Sequence, residues 1–519
     1  MSVDNILDLG IDIGITNSCA FLSKGGSIEC LEENGNFLFP SVVEYIDGIE
    51  PIVGFAAKRH AETNTASVVY NIKRLIGCSY SSDEVKQNLI NCGCPIENHN
   101  GFPVFYIKTT DSYVTPDDVV AEIIKKLVNQ AELQAQCKVS NICITVPSYF
   151  NENQRSTTLH AALNCGIPED HISILNESVA VVLSCEPKIT KHKNSEFILV
   201  YDIGENSIDI SILKLTDHHY SVVIYDSDSD YGSTDYLMII VDWITKRYRE
   251  LNCSDLVPET SPLILKTKFR RRLRYIAENA MIKLLESSAT KIDVSSVTTE
   301  NTDEAICDFI LDHKILGSLL ESNVNHAIEM IKKMLSKVQL TKNAIGTIIM
   351  ISRNEIGRSV LSCIRDKFEN LFGTSRIIEA DQKCIAEGAC SALVKNYHIN
   401  DIAAYSIGQL LIDNRVQCII PMLSQLPIKM SVISCTTIDN QESVTTAVFL
   451  GKQYNTGDEV DVSQTIPLTS FTYSGFRYLP ARKVEFRTTY EIPESGIVFV
   501  TVIEIDTKRV LHHETLKWK

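Results

Sequence analysis

No stretch of this sequence is apolar over enough residues to span a membrane, and its first residues, Met1-Ser2-Val3-Asp4-Asn5, lack the basic region and apolar run of a secretory leader. The expectation is a cytoplasmic protein with no membrane partner. Positive charge is short as well. With 49 Lys and Arg against 65 Asp and Glu the net charge is −16, which argues against broad nucleic-acid binding and leaves room only for a local basic patch. A zinc site lacks its second half: the one close cysteine pair, Cys92 and Cys94, has no second Cys or His pair at zinc spacing. The other cysteines are scattered, so free and mostly buried thiols are expected. What is present is an ordinary globular composition, 44% hydrophobic and 22% charged, over 519 residues. At roughly 150 residues per domain, that length suggests about three domains.

The stretch Leu9-Gly10-Ile11-Asp12-Ile13-Gly14-Ile15-Thr16-Asn17-Ser18-Cys19-Ala20 runs an apolar alternation into Asp12, turns at small residues and resumes. It reads as a β-hairpin whose turn wraps a phosphate, because backbone N–H groups in such a turn form a concave nest for anions. Asp12 beside phosphate is tolerable only if a cation such as hydrated magnesium stands between them. An ordinary hairpin turn fits the same residues. The pattern returns at Leu199-Val200-Tyr201-Asp202-Ile203-Gly204-Glu205-Asn206-Ser207-Ile208-Asp209-Ile210-Ser211. Two copies imply two related lobes facing a shared nucleotide.

Between Ile28 and Val53 the alternation and the turn signals Asn34-Gly35-Asn36 and Asp47-Gly48 predict antiparallel hairpins. Thr115-Pro116-Asp117-Asp118 starts a helix with Val119, Ile123, Ile124, Leu127 and Val128 on one face. Ile142-Cys143-Ile144-Thr145-Val146 reads as a buried strand stopped by Pro147, and Asn153-Gln154-Arg155 opens the next helix.

With the opening hairpin, Val53-Gly54-Phe55-Ala56-Ala57-Lys58-Arg59 and Tyr70-Asn71-Ile72-Lys73-Arg74-Leu75-Ile76-Gly77 closely resemble the nucleotide-binding domain of the seventy-kilodalton heat-shock proteins. Asn176-Glu177 and Glu379-Ala380-Asp381-Gln382-Lys383-Cys384-Ile385-Ala386-Glu387-Gly388-Ala389 are similar to it too. Ile419-Ile420-Pro421, Leu426-Pro427-Ile428-Lys429, Phe449-Leu450-Gly451 and Tyr490-Glu491-Ile492 resemble, in order, the family's β-sandwich that holds unfolded peptides. The resemblance implies a two-lobed actin-like ATPase domain of duplicated ribonuclease-H-like α/β folds over residues 1–395, with lobe I at 1–190 and lobe II at 191–395. A linker at 396–406 and an all-β sandwich at 407–519 would follow, without a helical lid or acidic tail. The implied cofactor is ATP or ADP with Mg2+, the metal held through water by Asp12 and Asp202. Lys73 would reach the terminal phosphate, a solvated helix lysine being the plainer alternative, and Glu177 would help position magnesium-bound water. Gly14, Ile15, Thr16, Asn17, Gly204, Glu205, Ser207, Gly232, Glu278 and Ser352 would line the nucleotide. Pro147 and Arg155 match residues that relay the nucleotide state, although Pro147 also serves as a strand stop.

The second lobe departs from the resembled pattern wherever nucleotide is expected. Gly204-Glu205-Asn206-Ser207 stands for three glycines and a threonine. If Glu205 turned inward, its carboxylate would be repelled by phosphate by about 3 kcal/mol per charge pair at ~5 Å. In the helix containing Glu278, the family's lysine, arginine and serine that contact base and ribose are matched by Met281, Ile282 and Leu285. The preceding arginines, Arg270, Arg271, Arg272 and Arg274, suit a docking patch, or more simply a solvated face paired with nearby acids. Ile351-Ser352-Arg353-Asn354-Glu355 replaces Gly-Gly-Ser-Thr-Arg, the proline that follows Asn-Glu in the family is Ser178 here, and its basic J-domain contact is matched by Ser173. The linker Asp401-Ile402-Ala403-Ala404-Tyr405-Ser406 offers less apolar area for docking than a leucine run. The first sandwich loop, at Asp413-Asn414-Arg415, is short.

The functional expectation is an atypical chaperone or co-chaperone of protein folding, with a static or weak nucleotide site. It would act with a J-domain partner on unfolded or nascent polypeptide at the ribosome, without direct nucleic-acid binding. The alternative is an ATP-hydrolysing chaperone of fast peptide exchange, since Asp12, Lys73, Glu177 and Asp202 are all present. A sugar kinase or actin-like filament protein of the same two-lobed architecture is a third class, against which the sandwich motifs speak.

Overall fold

A strand covered on both faces is apolar at nearly every position. Ile142–Val146 meets that demand as the buried end of the strand Val139–Val146. In this computed structural model, which describes residues 6–61, 66–88, 92–189, 196–216, 219–298, 305–373, 375–395, 397–451, 454–493 and 496–516, that strand lies between Leu7–Asp12 and Ile172–Asn176, parallel to both. The leader reading of residues 1–5 and the last residues, 517–519, fall outside the described set. Asn17–Lys24 and Ser27–Cys30 extend the sheet antiparallel beyond Leu7–Asp12.

The helix Pro116–Ala135 starts as its sequence demands. The Thr115 hydroxyl accepts the Asp118 N–H while the Asp118 carboxylate accepts the Thr115 N–H at 2.9 Å, and Val119, Ile123, Ile124 and Leu127 are buried. The next helix, Glu152–Leu163, begins ahead of the expected Asn153, because Asn151 caps it: its side chain accepts the Gln154 N–H at 2.9 Å and Gln154 reciprocates at 3.1 Å. Glu177–Cys185 and Cys384–Val394 pack on each other, and the latter also covers Leu7–Asp12.

All of these belong to the first of two compact units, made of residues 1–186, 217–223 and 383–519; the second holds 187–216 and 224–382. The second unit repeats the strand plan of the first. Glu196–Ile203 forms a hairpin with Ile208–Thr216 and runs parallel to Ile345–Ser352, which in turn runs parallel to Arg376–Glu379. Helices Ser233–Asn252, Leu263–Lys283, Glu321–Lys337 and Glu355–Phe372 accompany that sheet, and Tyr201 packs on Phe368 with ring centroids 5.1 Å apart. Duplicated hairpins in the sequence thus become duplicated α/β folds.

The first unit also contains a β-sandwich. One sheet is ordered Glu459–Asp461, Arg415–Ile420, Ser406–Leu410, Ser443–Gly451, Ile466–Ser474; the other is ordered Ile428–Cys435, Glu485–Ile492, Phe499–Glu504, Val510–Thr515. Ile407, Leu450, Phe471, Phe486, Tyr490 and Val500 form its core. The short loop at Asp413-Asn414 is a tight turn, with the Leu411 N–H donating to the Arg415 carbonyl at 2.7 Å and Asn414 at φ 67°. Cys92 and Cys94 are buried, and burial lifts their thiols to about 12 and about 11, which makes them poor nucleophiles.

Replacing Leu127 by Ala should cost the first unit about 2–5 kcal/mol, against about 1 kcal/mol for Thr115→Ala. Urea unfolding of both variants checks this; equal losses would mean that the helix is held by something other than its apolar face.

Candidate functional site

In the first unit the strand Leu7–Asp12 delivers Asp12 to the mouth of the opening turn, with its side chain buried. A Cβ on Gly14 would sit 2.0 Å from the Asn17 carbonyl oxygen, so only glycine allows this tight return. Ile15 and Asn17 are half-buried and Thr16 is exposed. The turn is braced from behind by Ser41, whose hydroxyl donates to the Gly14 carbonyl at 2.9 Å and whose N–H donates to the Thr16 carbonyl at 2.9 Å. Ser41 was not singled out in the sequence; no spacing rule connects it to the hairpin.

Lys73 stands on a single 3-10 turn, Ile72–Arg74, entered through Asn71 in the left-handed region at φ 60°, which asparagine tolerates. This turn swings Lys73 inward, and its side chain is only 8% exposed, so it is not a solvated helix lysine. Its ammonium lies 2.5 Å from Glu177 Oε1 and 3.8 Å from Asp12 Oδ1. The Thr145 hydroxyl, on the neighbouring strand, lies 3.2 Å from Asp12 Oδ1. Two buried carboxylates thus share one cation, an arrangement that survives burial only through such pairing. Chemically it offers a positive group and two acidic oxygens beside a turn of small residues, the equipment for positioning a metal-bound phosphate.

Glu177 is the first residue of its helix, and Asn176 before it carries a second polar system. The Asn176 amide donates to Asp401 Oδ1 at 2.7 Å and its carbonyl oxygen accepts from Arg155 Nη2 at 2.5 Å; Arg155 Nη2 also lies 3.4 Å from Asp401 Oδ2. Asp401 is buried, as are Ile402, Ala403 and Ala404. The Asp401 backbone carbonyl accepts the Leu426 N–H of the sandwich at 2.7 Å. The linker, expected to dock poorly for want of leucines, is therefore held by a polar anchor together with a short apolar run. Burial raises the Asp401 carboxyl above its ordinary value of 3.8, against the pull of Arg155, the Ile402 N–H and Asn176.

In the second unit Asp202 is the last residue but one of the equivalent strand, Glu196–Ile203. The Gly204 N–H donates to the Ser207 carbonyl at 2.9 Å, and the carbonyls of Gly204 and Glu205 accept from the Ser233 and Thr234 N–H groups at 3.0 and 2.9 Å. Amides at this helix start are thereby already engaged, and Gly232 before them lies against the Asn206 backbone. Register places Asp209 directly across from Asp202, and the Ser207 hydroxyl donates to Asp209 at 3.1 Å. Arg353 Nη2 stands 3.5 Å from Asp202 Oδ2. Asp209 and Arg353 both went unremarked as site residues, although Asp209 is legible from the hairpin register and Arg353 is not. Ser352 is fully buried, its hydroxyl donating to the Ile203 carbonyl at 2.9 Å, and Ile351 and Met281 are fully buried. Glu278, Ile282 and Leu285 are half-buried. Arg270, Arg271, Arg272 and Arg274 are exposed and unpaired with acids among the described residues, a solvated face without the expected partners.

The residues present fit the phosphate and metal end of a nucleotide: Asp12, Lys73, Glu177 and the Gly14–Asn17 turn in the first unit. Met281 and Ile351, which stand where the resemblance implies adenosine contacts, are apolar and fully buried in the second unit.

Comparison with known proteins gives a consistent answer. The family described as Hsp70 protein matches residues 8–516. A chaperone protein DnaK of Cyanidioschyzon merolae (strain NIES-3377 / 10D) is 27% identical over 508 residues, covering 96% of this chain and 80% of that protein. A chaperone protein DnaK of Buchnera aphidicola subsp. Schizaphis graminum (strain Sg) is 26% identical over 506 residues, covering 95% of this chain and 76% of its own.

Two outcomes follow from this geometry. Lys73→Ala leaves Asp12 and Glu177 buried without their shared cation and should cost about 3–5 kcal/mol of stability at neutral pH, read by urea unfolding. Adding Glu177→Gln should recover part of the loss. For Asp401, a folded-state pKa above the unfolded one means that its contribution is complete below about 3.8 and fades as pH rises through the raised value. Hydrogen-exchange protection of the Leu426 amide should accordingly increase from neutral pH into the acid range in the native protein and stay level in Asp401→Asn. Protection that weakened with acid would mean that Arg155 outweighs desolvation.

Proposed function

The chain belongs to the Hsp70 family, and on that premise we propose that it is an atypical chaperone of protein folding whose nucleotide site is weak or static. The observation that carries this reading is the contrast between the two units. The first keeps a buried Lys73–Glu177–Asp12 cluster beside a turn of small residues, while in the second the positions that the family resemblance gives to adenosine contacts carry Met281 and Ile351, both apolar and buried. Residues 1–395 form the nucleotide domain in this proposal, 396–406 the linker and 407–519 the peptide-holding sandwich. ATP or ADP with Mg2+ is the ligand, with the metal near Asp12 and Asp202 through water. The metal would supply positive charge to the phosphate oxygens, Lys73 would reach the terminal phosphate, and Glu177 would help position magnesium-bound water. Unfolded or nascent polypeptide is the substrate class, a J-domain protein the natural co-chaperone, the ribosome one place of action and the cytoplasm the compartment.

Apolar contacts discriminate bases weakly, so ATP and GTP should bind within about tenfold of one another, a difference of about 1.4 kcal/mol at most. Calorimetric titration of the full chain with each nucleotide and Mg2+ measures this. A preference for ATP of more than about a hundredfold would place polar recognition on the base and sink the weak-site reading. Failure to bind either would leave a chaperone-shaped scaffold.

The retained Lys73–Glu177 pair favours a second reading, an active ATPase with fast peptide exchange. Single-turnover hydrolysis separates the two: turnover abolished by Lys73→Ala supports the active enzyme, and bound ATP recovered intact supports the static site.

A further inference from the structure

No acidic residue occurs between Glu259 and Glu278, in a chain with 65 of them, and the same stretch holds Lys266, Lys268, Arg270, Arg271, Arg272 and Arg274. Most of it lies in the helix Leu263–Lys283 of the second unit. Helical spacing separates the two sides of this helix. Leu273, Ala277, Ala280 and Met281 are buried, while Lys268, the four arginines and Tyr275 are exposed. None of the six cations is paired with an acid among the described residues. Like charges three and four residues apart on a helix repel one another, and acids interspersed on a solvated face would relieve that repulsion. Here the fold leaves it unrelieved.

The outward stripe is not only basic. Leu263 and Ile264, in the first turn, are 80% and 79% exposed, and Tyr275 at the other end is 65% exposed. Lys268, Arg271 and Arg272 lie between them, and these residues line one surface depression whose walls all come from this helix. The stripe runs about 18 Å along the helix axis. Peptide recognition uses a groove or a free strand edge, and one helix face is neither. A nucleic acid would engage the cations and the ring but leave Leu263 and Ile264 in water. The headgroup layer of an anionic bilayer takes all three: its phosphates meet Lys and Arg, aliphatic side chains pass beneath them, and a tyrosine ring lies at the boundary. The net charge of −16 does not oppose this, because charges more than a Debye length of ~8 Å from the bilayer are screened at physiological salt. Surface attachment also needs no spanning helix, and among the described residues no helix is long and apolar enough to cross a membrane.

We propose that the exposed stripe of the helix Leu263–Lys283 is a docking surface for an anionic phospholipid bilayer, with Leu263 and Ile264 entering the acyl boundary and Lys268, Arg271 and Arg272 on the headgroup phosphates. The buried face of the same helix keeps it fastened to the second unit, so the whole chain is carried to the surface. Attachment is reversible and weakens with salt, since its electrostatic part is screened. It goes beyond the chaperone reading and stands apart from it, because Leu263, Ile264, Lys268, Arg271 and Arg272 have no part in the nucleotide site proposed above.

The test is co-sedimentation of the full chain, without nucleotide, with vesicles of phosphatidylcholine alone and of an equal mixture of phosphatidylcholine and phosphatidylserine. The native protein should sediment with the mixture only, and less of it as KCl is raised. Arg271→Glu with Arg272→Glu should weaken binding by more than about tenfold, and Leu263→Ser with Ile264→Ser by about tenfold. All four positions are exposed, so both double variants should melt with the native protein; Arg271→Gln with Arg272→Gln replaces the first if the charge reversal does not fold. Ile264→Trp should shift its emission to shorter wavelength on the mixed vesicles, which reports entry of that side chain into the bilayer. Equal binding to both kinds of vesicle, binding that survives both double variants, or an Ile264→Trp emission that does not move when the protein is bound overturns the proposal. So does tighter binding to polyuridylate or polyglutamate than to the mixed vesicles, lost in the same variants, which would give the stripe to another polyanion.

Discussion

Asn176 joins two buried polar systems of the first unit, and much else hangs on that junction. Its side chain spans Arg155 and Asp401, while the next residue, Glu177, turns into a helix and meets Lys73. Neither system tolerates the loss of a member, because a buried charge without its partner costs far more than the pair gains. The linker is thereby tied to the residue adjacent to the Lys73–Glu177–Asp12 cluster through one peptide bond. The Asp401 backbone also carries a hydrogen bond from the sandwich at Leu426.

How much of this was legible in the sequence follows from the range of each interaction. Thr115 and Asp118 lie three residues apart, and their capping box is read directly from that spacing; the paired hairpins around Asp12 and Asp202 likewise advertise themselves by local alternation. The start of Glu152–Leu163 was misplaced because Asn151, two residues upstream of the apparent signal, satisfies the same capping rule with Gln154. The polar anchoring of the linker is hidden from the sequence for a different reason. Composition shows its apolar area, whereas the partners of Asp401, Asn176 and Arg155, lie more than two hundred residues away and no periodicity announces them. Arg353 belongs to the same class: its place in a departed loop was visible, but its contact with Asp202 exists only once the strands are in register.

Duplication explains the overall plan, and divergence between the copies explains the chemistry. A shared topology requires equivalent strands and hairpins, which both units possess, but it places no demand on what stands opposite the carboxylate. In the first copy Asp12 stands across from Thr145 and Cys19; in the second Asp202 stands across from Ile351 and Asp209. Both copies keep the strand pairing, while the residues across from the two carboxylates differ. Ile351 and Met281 show the reverse movement, from positions read as ligand contacts into the apolar interior.

The first unit is discontinuous in sequence, taking residues 1–186 and 383–519, with nearly two hundred residues of the second unit spelled out between them. During synthesis the strand Leu7–Asp12 emerges early, yet the helix that covers it, Cys384–Val394, is made only after the second unit has been translated. The order of completion is therefore inverted relative to the order of appearance. The later unit has most of its chain in hand first, while the earlier one waits with an apolar sheet face uncovered. A protein expected to attend to other unfinished chains spends much of its own birth as one.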